Sequence, residues 1–237
     1  MRTTLIVNSK GGSGKTTLST TLATYYANRN LKTALMDFDP QGSSLNWLKV
    51  RPDHLKSIHG ANAAKAKNGT IRSWQMRLPN DIERLVLDSP AGTNGILLQD
   101  LVKRADSIII PVAPSSTDVH ATADFVKELL LVGKVRAYKT QVSVVANRVR
   151  QNDELYQPLA NFLNSLQIPF VTSLTDTDNY VFAAENGMGI FDMKADKVSM
   201  ELAQWKALIK WLDNPSAQHT SADAEKNRRN LKLVSMK

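Results

Sequence analysis

Ser9-Lys10-Gly11-Gly12-Ser13-Gly14-Lys15-Thr16-Thr17 is the stretch that decides how the chain is read. It follows Thr3-Thr4-Leu5-Ile6-Val7-Asn8, an apolar run of the buried-strand type, and opens a helical pattern over Lys15–Arg29. Glycines let a backbone fold closely enough to point several N–H groups at one anion. The helix behind them adds the positive end of its dipole. Strand, glycine-rich turn and helix in this order predict a phosphate loop made of Lys10, Gly11, Gly12, Ser13, Gly14, Lys15, Thr16 and Thr17. In such a loop Lys15 reaches the outer phosphates and the Thr16 hydroxyl ligates Mg²⁺. The usual G-x-x-x-x-G-K-[ST] spacing is not met, because position 9 is Ser; an additional lysine, Lys10, stands near the start instead.

Outward from the loop, strand-like runs alternate with helix-like stretches. Strands are expected at Thr33–Asp37, Leu85–Asp88, Ser107–Pro111 and Val142–Asn147, with a short one at Pro169–Val171. Helices are expected near Ile96–Arg104, Asp118–Val132 and Glu154–Leu166. Continuous apolar strands followed by amphipathic helices predict an α/β fold, a mostly parallel twisted sheet with helices on both faces. Ligands of such sheets bind beyond the carboxyl ends of the strands, which selects Asn8, Asp37, Asp88, Pro111 and Asn147. Arg51–Asp81 fits the plan less well and reads as a basic excursion, with a short strand at Ser57–His59 and a helix near Ile71–Leu78. Residues 1–213 form the expected domain, and 214–237 read as a basic, mobile tail.

Lys10–Thr16 resembles the deviant Walker A motif of the ParA/MinD family of ATPases, and the resemblance extends over Met1–Leu212. Asp37-Phe38-Asp39-Pro40-Gln41-Gly42 resembles that family's switch I. Leu85–Gly92 resembles its Walker B and switch II, with Ser89 and Ala91 as mild departures. The resemblance implies a P-loop NTPase fold, ATP or ADP with Mg²⁺ as ligand, and hydrolysis of ATP to ADP and phosphate. It implies catalytic parts for Lys10, Lys15 and Asp39: Lys10 crosses to the phosphates of a partner in a sandwich dimer, and Asp39 positions the attacking water. It also implies Mg²⁺ held through Thr16, Asp37 and Asp88, and an adenine edge read by the Asn147 amide. Without the resemblance, Lys10 reads as a phosphate contact in cis or a solvated charge, and the aspartates as members of polar turns.

The charge balance asks which polyanion the chain meets. Thirty Lys and Arg against 22 Asp and Glu give a formal net charge of +8, which favours nucleic acid or an acidic membrane surface. ParA-like members bind DNA without sequence preference as ATP dimers, until an adaptor protein on the cargo stimulates hydrolysis; MinD-like members bind membrane through a C-terminal amphipathic helix. Here Lys226–Lys237 carries basic residues but only a small apolar face, which favours DNA over membrane. Candidate DNA contacts are Arg148 and Arg150, then Lys194, Lys197, Lys206 and Lys210 on the C-terminal helices, and Arg228 and Arg229 in the tail. No helix-turn-helix segment precedes the first strand, which resembles the short ParA type.

The expectation is thus a cytoplasmic, nucleoid-associated ATPase that dimerises on ATP and segregates or positions a plasmid, a chromosome or a protein compartment. A MinD- or FlhG-like membrane-associated regulator is the alternative. A P-loop metabolic ligase is a second, against which Lys10 and Asp39-Pro40-Gln41 count. The absence of cysteine excludes disulfides and cysteine-ligated iron–sulfur clusters, and with them the iron–sulfur relatives of the fold.

Overall fold

The computed structural model describes residues 1–64, 77–133, 135–150, 161, 164, 165 and 168–214. The chain enters through β1 (Arg2–Ile6) and passes the glycine loop into α1 (Lys15–Asn28). β2 (Thr33–Asp37), α2 (Ser43–Lys49) and β3 (His59–Asn62) follow. Then come β4 (Arg84–Asp88), α3 (Gly95–Arg104), β5 (Ser107–Val112), α4 (Ser116–Leu131) and the single turn α5 (Val135–Tyr138). β6 (Gln141–Val149), β7 (Phe170–Thr175), α6 (Asp178–Glu185), a 3-10 turn at Ile190–Asp192 and α7 (Ser199–Asp213) complete the described part.

All seven strands are parallel, in the order β3-β2-β4-β1-β5-β6-β7. The order explains where a ligand sits. From β1 the chain moves outward to β2 and β3, returns through β4, then crosses β1 to reach β5 on its other side. The crevice where the direction reverses therefore opens at the carboxyl end of β1, where the glycine loop begins. Alternation along each strand divides the core between two faces. Leu5, Val7, Ile108 and Ile110 pack against Leu98, Leu101, Val102, Phe125 and Leu129 of α3 and α4. Ile6 and Ile109 pack the other way, with Leu18 and Leu22 of α1, Trp47 of α2, and Trp205, Leu208 and Leu212 of α7.

Three elements depart from the sequence reading. β7 runs six residues rather than three; it is an edge strand in which only Leu174 is fully buried, so its apolar pattern is too sparse to read. β3 lies at His59–Asn62 rather than Ser57–His59 and is the opposite edge, paired with β2. α2 was not foreseen, since seven residues complete too few turns to display a period, and its start is held by a side chain from β2. The helix expected near Ile71–Leu78 falls, up to residue 76, outside the described residues. So do most of that expected at Glu154–Leu166 and the tail beyond Asn214.

Candidate functional site

The loop between β1 and α1 has the backbone that its glycines foreshadowed. Gly12 (φ 75°) and Gly14 (φ 91°) both lie in the left-handed region. Gly14 is the N-cap of α1 and no side chain caps the helix, so its first N–H groups remain open to an anion. Gly14 is also needed for space: a Cβ there would collide with the Asn147 side-chain amide. That amide donates to the Ser13 carbonyl at 2.9 Å. The donor expected to read adenine is thus engaged with the loop, and in this structure Asn147 braces the phosphate loop from β6.

Lys15 is buried, and its ammonium donates to the Lys10 carbonyl at 2.8 Å. Burial lowers its pKa, while Asp88 and then Asp39 act in the opposite direction. Ser13 Oγ donates to the same carbonyl at 3.3 Å, and the Lys10 N–H donates to Asn8 Oδ1 at 3.1 Å. The loop also rests on the segment after β4: Gly92 N–H donates to the Ser9 carbonyl at 2.8 Å. Loop and switch II are thereby one packed unit. The Lys10 ammonium lies 4.0 Å from Asp118 Oδ1 of α4, a contact that the sequence did not suggest.

Three aspartates face this loop in different ways. Asp88 ends β4 fully buried; Oδ1 accepts from Ser19 Oγ at 3.1 Å, and Oδ2 has no hydrogen-bond partner among the described residues. Burial, and next the neighbouring Asp37, push its pKa up to about 7, against the Thr16 and Ser19 hydroxyls and Lys15, which pull it down. Asp39 is half-buried; its N–H donates to Asp37 Oδ1 at 2.8 Å, and its own Oδ1 accepts from Gln41 N at 2.9 Å.

Asp37, expected at the metal, has both oxygens engaged in this structure: Oδ2 accepts from Ser44 N (3.1 Å), Ser44 Oγ (2.7 Å) and Leu45 N (3.3 Å), while Oδ1 takes the Asp39 N–H. These are the orphan donors at the start of α2, so Asp37 anchors that helix and holds the switch I turn. Ser19 and Ser44 were missed as well. Each is a small hydroxyl in an ordinary helical position, and only the strand across from it reveals a partner.

The basic candidates divide. Arg148 sits at the carboxyl end of β6 in a left-handed conformation (φ 57°) and is exposed. Arg150 lies close by, its Nη2 3.5 Å from Asp176 Oδ2, and both line a cleft of about 290 Å³ with Pro114 and Ser115. Lys206 and Lys210 occupy the exposed face of α7 one turn apart. Lys194 and Lys197 belong to the turns ahead of α7 rather than to a helix. Arg228 and Arg229 lie outside the described residues.

Residues 4–190 match the family model described as the CobQ/CobB/MinD/ParA nucleotide binding domain. The chain belongs to this family. It is 25% identical over 198 residues to "Maintenance of carboxysome distribution protein A" of Halothiobacillus neapolitanus, covering 81% of this chain and 88% of that protein. Two solved structures share the fold. An ATP complex of an aspartate-to-alanine variant of McdA from Cyanothece has a TM-score of 0.67 at 17% identity, over 88% of this chain and 96% of that one. The septum site-determining protein MinD of Pyrococcus horikoshii, complexed with Mg-ADP, has a TM-score of 0.65 at 14% identity, over 92% and 99%. The matched span contains the glycine loop and the carboxyl ends of β2 and β4.

Proposed function

We propose that the protein is an ATP-dependent, dimerising ATPase of ParA type that binds nucleoid DNA without sequence preference and positions or segregates a cargo. The observation that carries this reading is the loop Lys10–Thr17, with an uncapped helix start and a buried Lys15 converging on it. The carboxysome-distribution relative supports a positioning role; a plasmid or chromosome cargo rests on the resemblance of the motifs alone.

The residues fit a magnesium nucleotide. The buried Oδ2 of Asp88 lacks a partner beside the Thr16 hydroxyl, as a carboxylate awaiting a metal-bound water would. Mg²⁺, when bound, neutralises phosphate charge that otherwise opposes attack at phosphorus. The N–H groups of Gly11–Thr17 hold phosphate oxygens, Lys15 balances their charge, and Thr16 and Asp88 hold the cation. Asp39, at the rim of the site, orients the attacking water, and Asp37 acts behind it by fixing the switch I turn. Lys10 extends towards the phosphates of a second protomer. ATP must favour the dimer-competent state more than ADP does, since only differential binding moves a conformational equilibrium.

Random-sequence DNA binding with ATP, ADP or no nucleotide tests this reading. The expected result is binding with ATP only, indifferent to sequence and weakened by salt. Absence of binding under every nucleotide would remove the DNA reading and turn attention to acidic liposomes, where a MinD-like protein would bind. Among the described residues no helix is long and apolar enough to cross a membrane. Asp39→Ala is expected to bind ATP and dimerise while hydrolysing on the order of a hundredfold more slowly, leaving the DNA-bound form to accumulate. Ordinary turnover by that variant would reassign the water-positioning role.

A further inference from the structure

We propose that Asp118 holds Lys10 in cis in the nucleotide-free monomer, and so sets the protein concentration at which the chain dimerises on ATP. The inference rests on the reading above, in which Lys10 acts across the dimer. Lys10 Nζ lies 4.0 Å from Asp118 Oδ1, with the two side chains 40% and 23% exposed. Among the described residues no other carboxylate stands within ion-pair distance of Lys10.

Asp118 is itself held in place. Its Oδ2 accepts a short hydrogen bond from the Ser115 hydroxyl, and its N–H donates to Ser115 Oγ at 3.1 Å. It belongs to the first turn of the 16-residue α4, where the positive end of a helix favours a carboxylate. The Lys10 side chain thus faces a fixed anion on its own chain, at the position where an anion on the partner must compete for it.

The backbone of Lys10 is restrained by different groups. Its carbonyl accepts from Lys15 Nζ and Ser13 Oγ, and its N–H donates to Asn8 Oδ1. The Lys15 ammonium has three protons, so it can keep the Lys10 carbonyl while it engages phosphate, and the backbone of Lys10 stays in place. Only the side chain must leave its partner to cross to a second protomer, and the partner it leaves is Asp118. An ion pair this exposed is weak, which suits a contact that tunes an equilibrium without blocking it.

The test is sedimentation velocity on the full chain with Mg²⁺ and ATPγS, at low and high salt. Asp118→Asn is expected to dimerise at about threefold lower protein concentration than wild type at low salt, a gap that closes at high salt. Asp118→Glu retains the charge and is expected to stay near wild type. In the nucleotide-free protein, acylation of Lys10 by an amine-reactive ester, followed by mass spectrometry, is expected to be about twofold faster in Asp118→Asn. An unchanged dimerisation threshold in Asp118→Asn overturns the proposal, as does a shift that ignores salt, which would reflect a change in α4 itself. Wild type that stays monomeric with ATPγS overturns the dimer reading and this inference together. Wild type that dimerises at the same concentration as Asp118→Asn overturns only the inference.

Discussion

The carboxyl ends of β2 and β4 carry the same residue in nearly the same surroundings. Asp37 and Asp88 are register partners on adjacent parallel strands, 0% and 1% exposed. Their side chains are nonetheless used in opposite ways. Asp37 accepts four hydrogen bonds, three of them from the start of α2. Asp88 accepts from Ser19, with the Thr16 hydroxyl close by, and keeps Oδ2 with no partner among the described residues. A buried carboxylate with both oxygens satisfied serves the scaffold as it stands; one with an orphan oxygen keeps lone pairs free for a further partner. Adjacency also links them, because Asp37 is the second cause, after burial, of the raised pKa of Asp88.

The comparison is broken most directly at Asp37. Asp37→Ala leaves the Asp39, Ser44 and Leu45 amides without their acceptor, and is expected to cost about 4 kcal/mol in a urea melt. A loss under about 1 kcal/mol, with weakened Mg²⁺ affinity instead, would return Asp37 to the metal and erase the contrast.

Asp88→Asn sharpens the other side. Its folded pKa, about 7, stands above the 3.8 of an unperturbed aspartate, so the folded state holds the proton more tightly than the unfolded chain. Stability of the nucleotide-free protein is therefore greatest below the lower value, declines as pH rises between the two, and levels off above the higher. Asp88→Asn is expected to flatten that decline and to stabilise the nucleotide-free protein at alkaline pH. Melts at acid and alkaline pH that show the same slope in both proteins would mean that Asp88 carries no such strain.

The smallest expected effect is at Ser44. Ser44→Ala removes the 2.7 Å bond to Asp37 Oδ2 but leaves the backbone donors of Ser44 and Leu45, so about 1 kcal/mol is expected by the same melt. A loss as large as that of Asp37→Ala would show that the hydroxyl, rather than the helix start, is the principal partner.

Much of the fold was legible in the residues, for a reason that particular elements display. Leu85-Val86-Leu87-Asp88 and Ser107-Ile108-Ile109-Ile110 are buried on both faces, and such strands read as continuous apolar runs. The edges were misread because β3 is mostly exposed and β7 mostly half-buried, which leaves little apolar signal. Residue types at strand ends were legible too, whereas the division of labour between Asp37 and Asp88 was not. Both follow an apolar strand and precede a turn, and nothing in either hexapeptide says which carboxylate a helix will claim.

The sequence by itself determined the glycine loop between β1 and α1, the alternation of strands and helices, and the residues at the carboxyl ends. All of these depend on neighbours within a few positions along the chain, where spacing and chemistry act directly. Only the tertiary structure decided which side chains meet. Asn147 braces Ser13 across 134 residues of chain and Ser19 meets Asp88 across 69; Lys10 likewise faces Asp118 on another element. Such contacts follow from the order in which the strands lie side by side and from the crossing of β1 between β4 and β5. That order is set by packing both faces of the sheet at once, a collective condition that no local pattern of residues records.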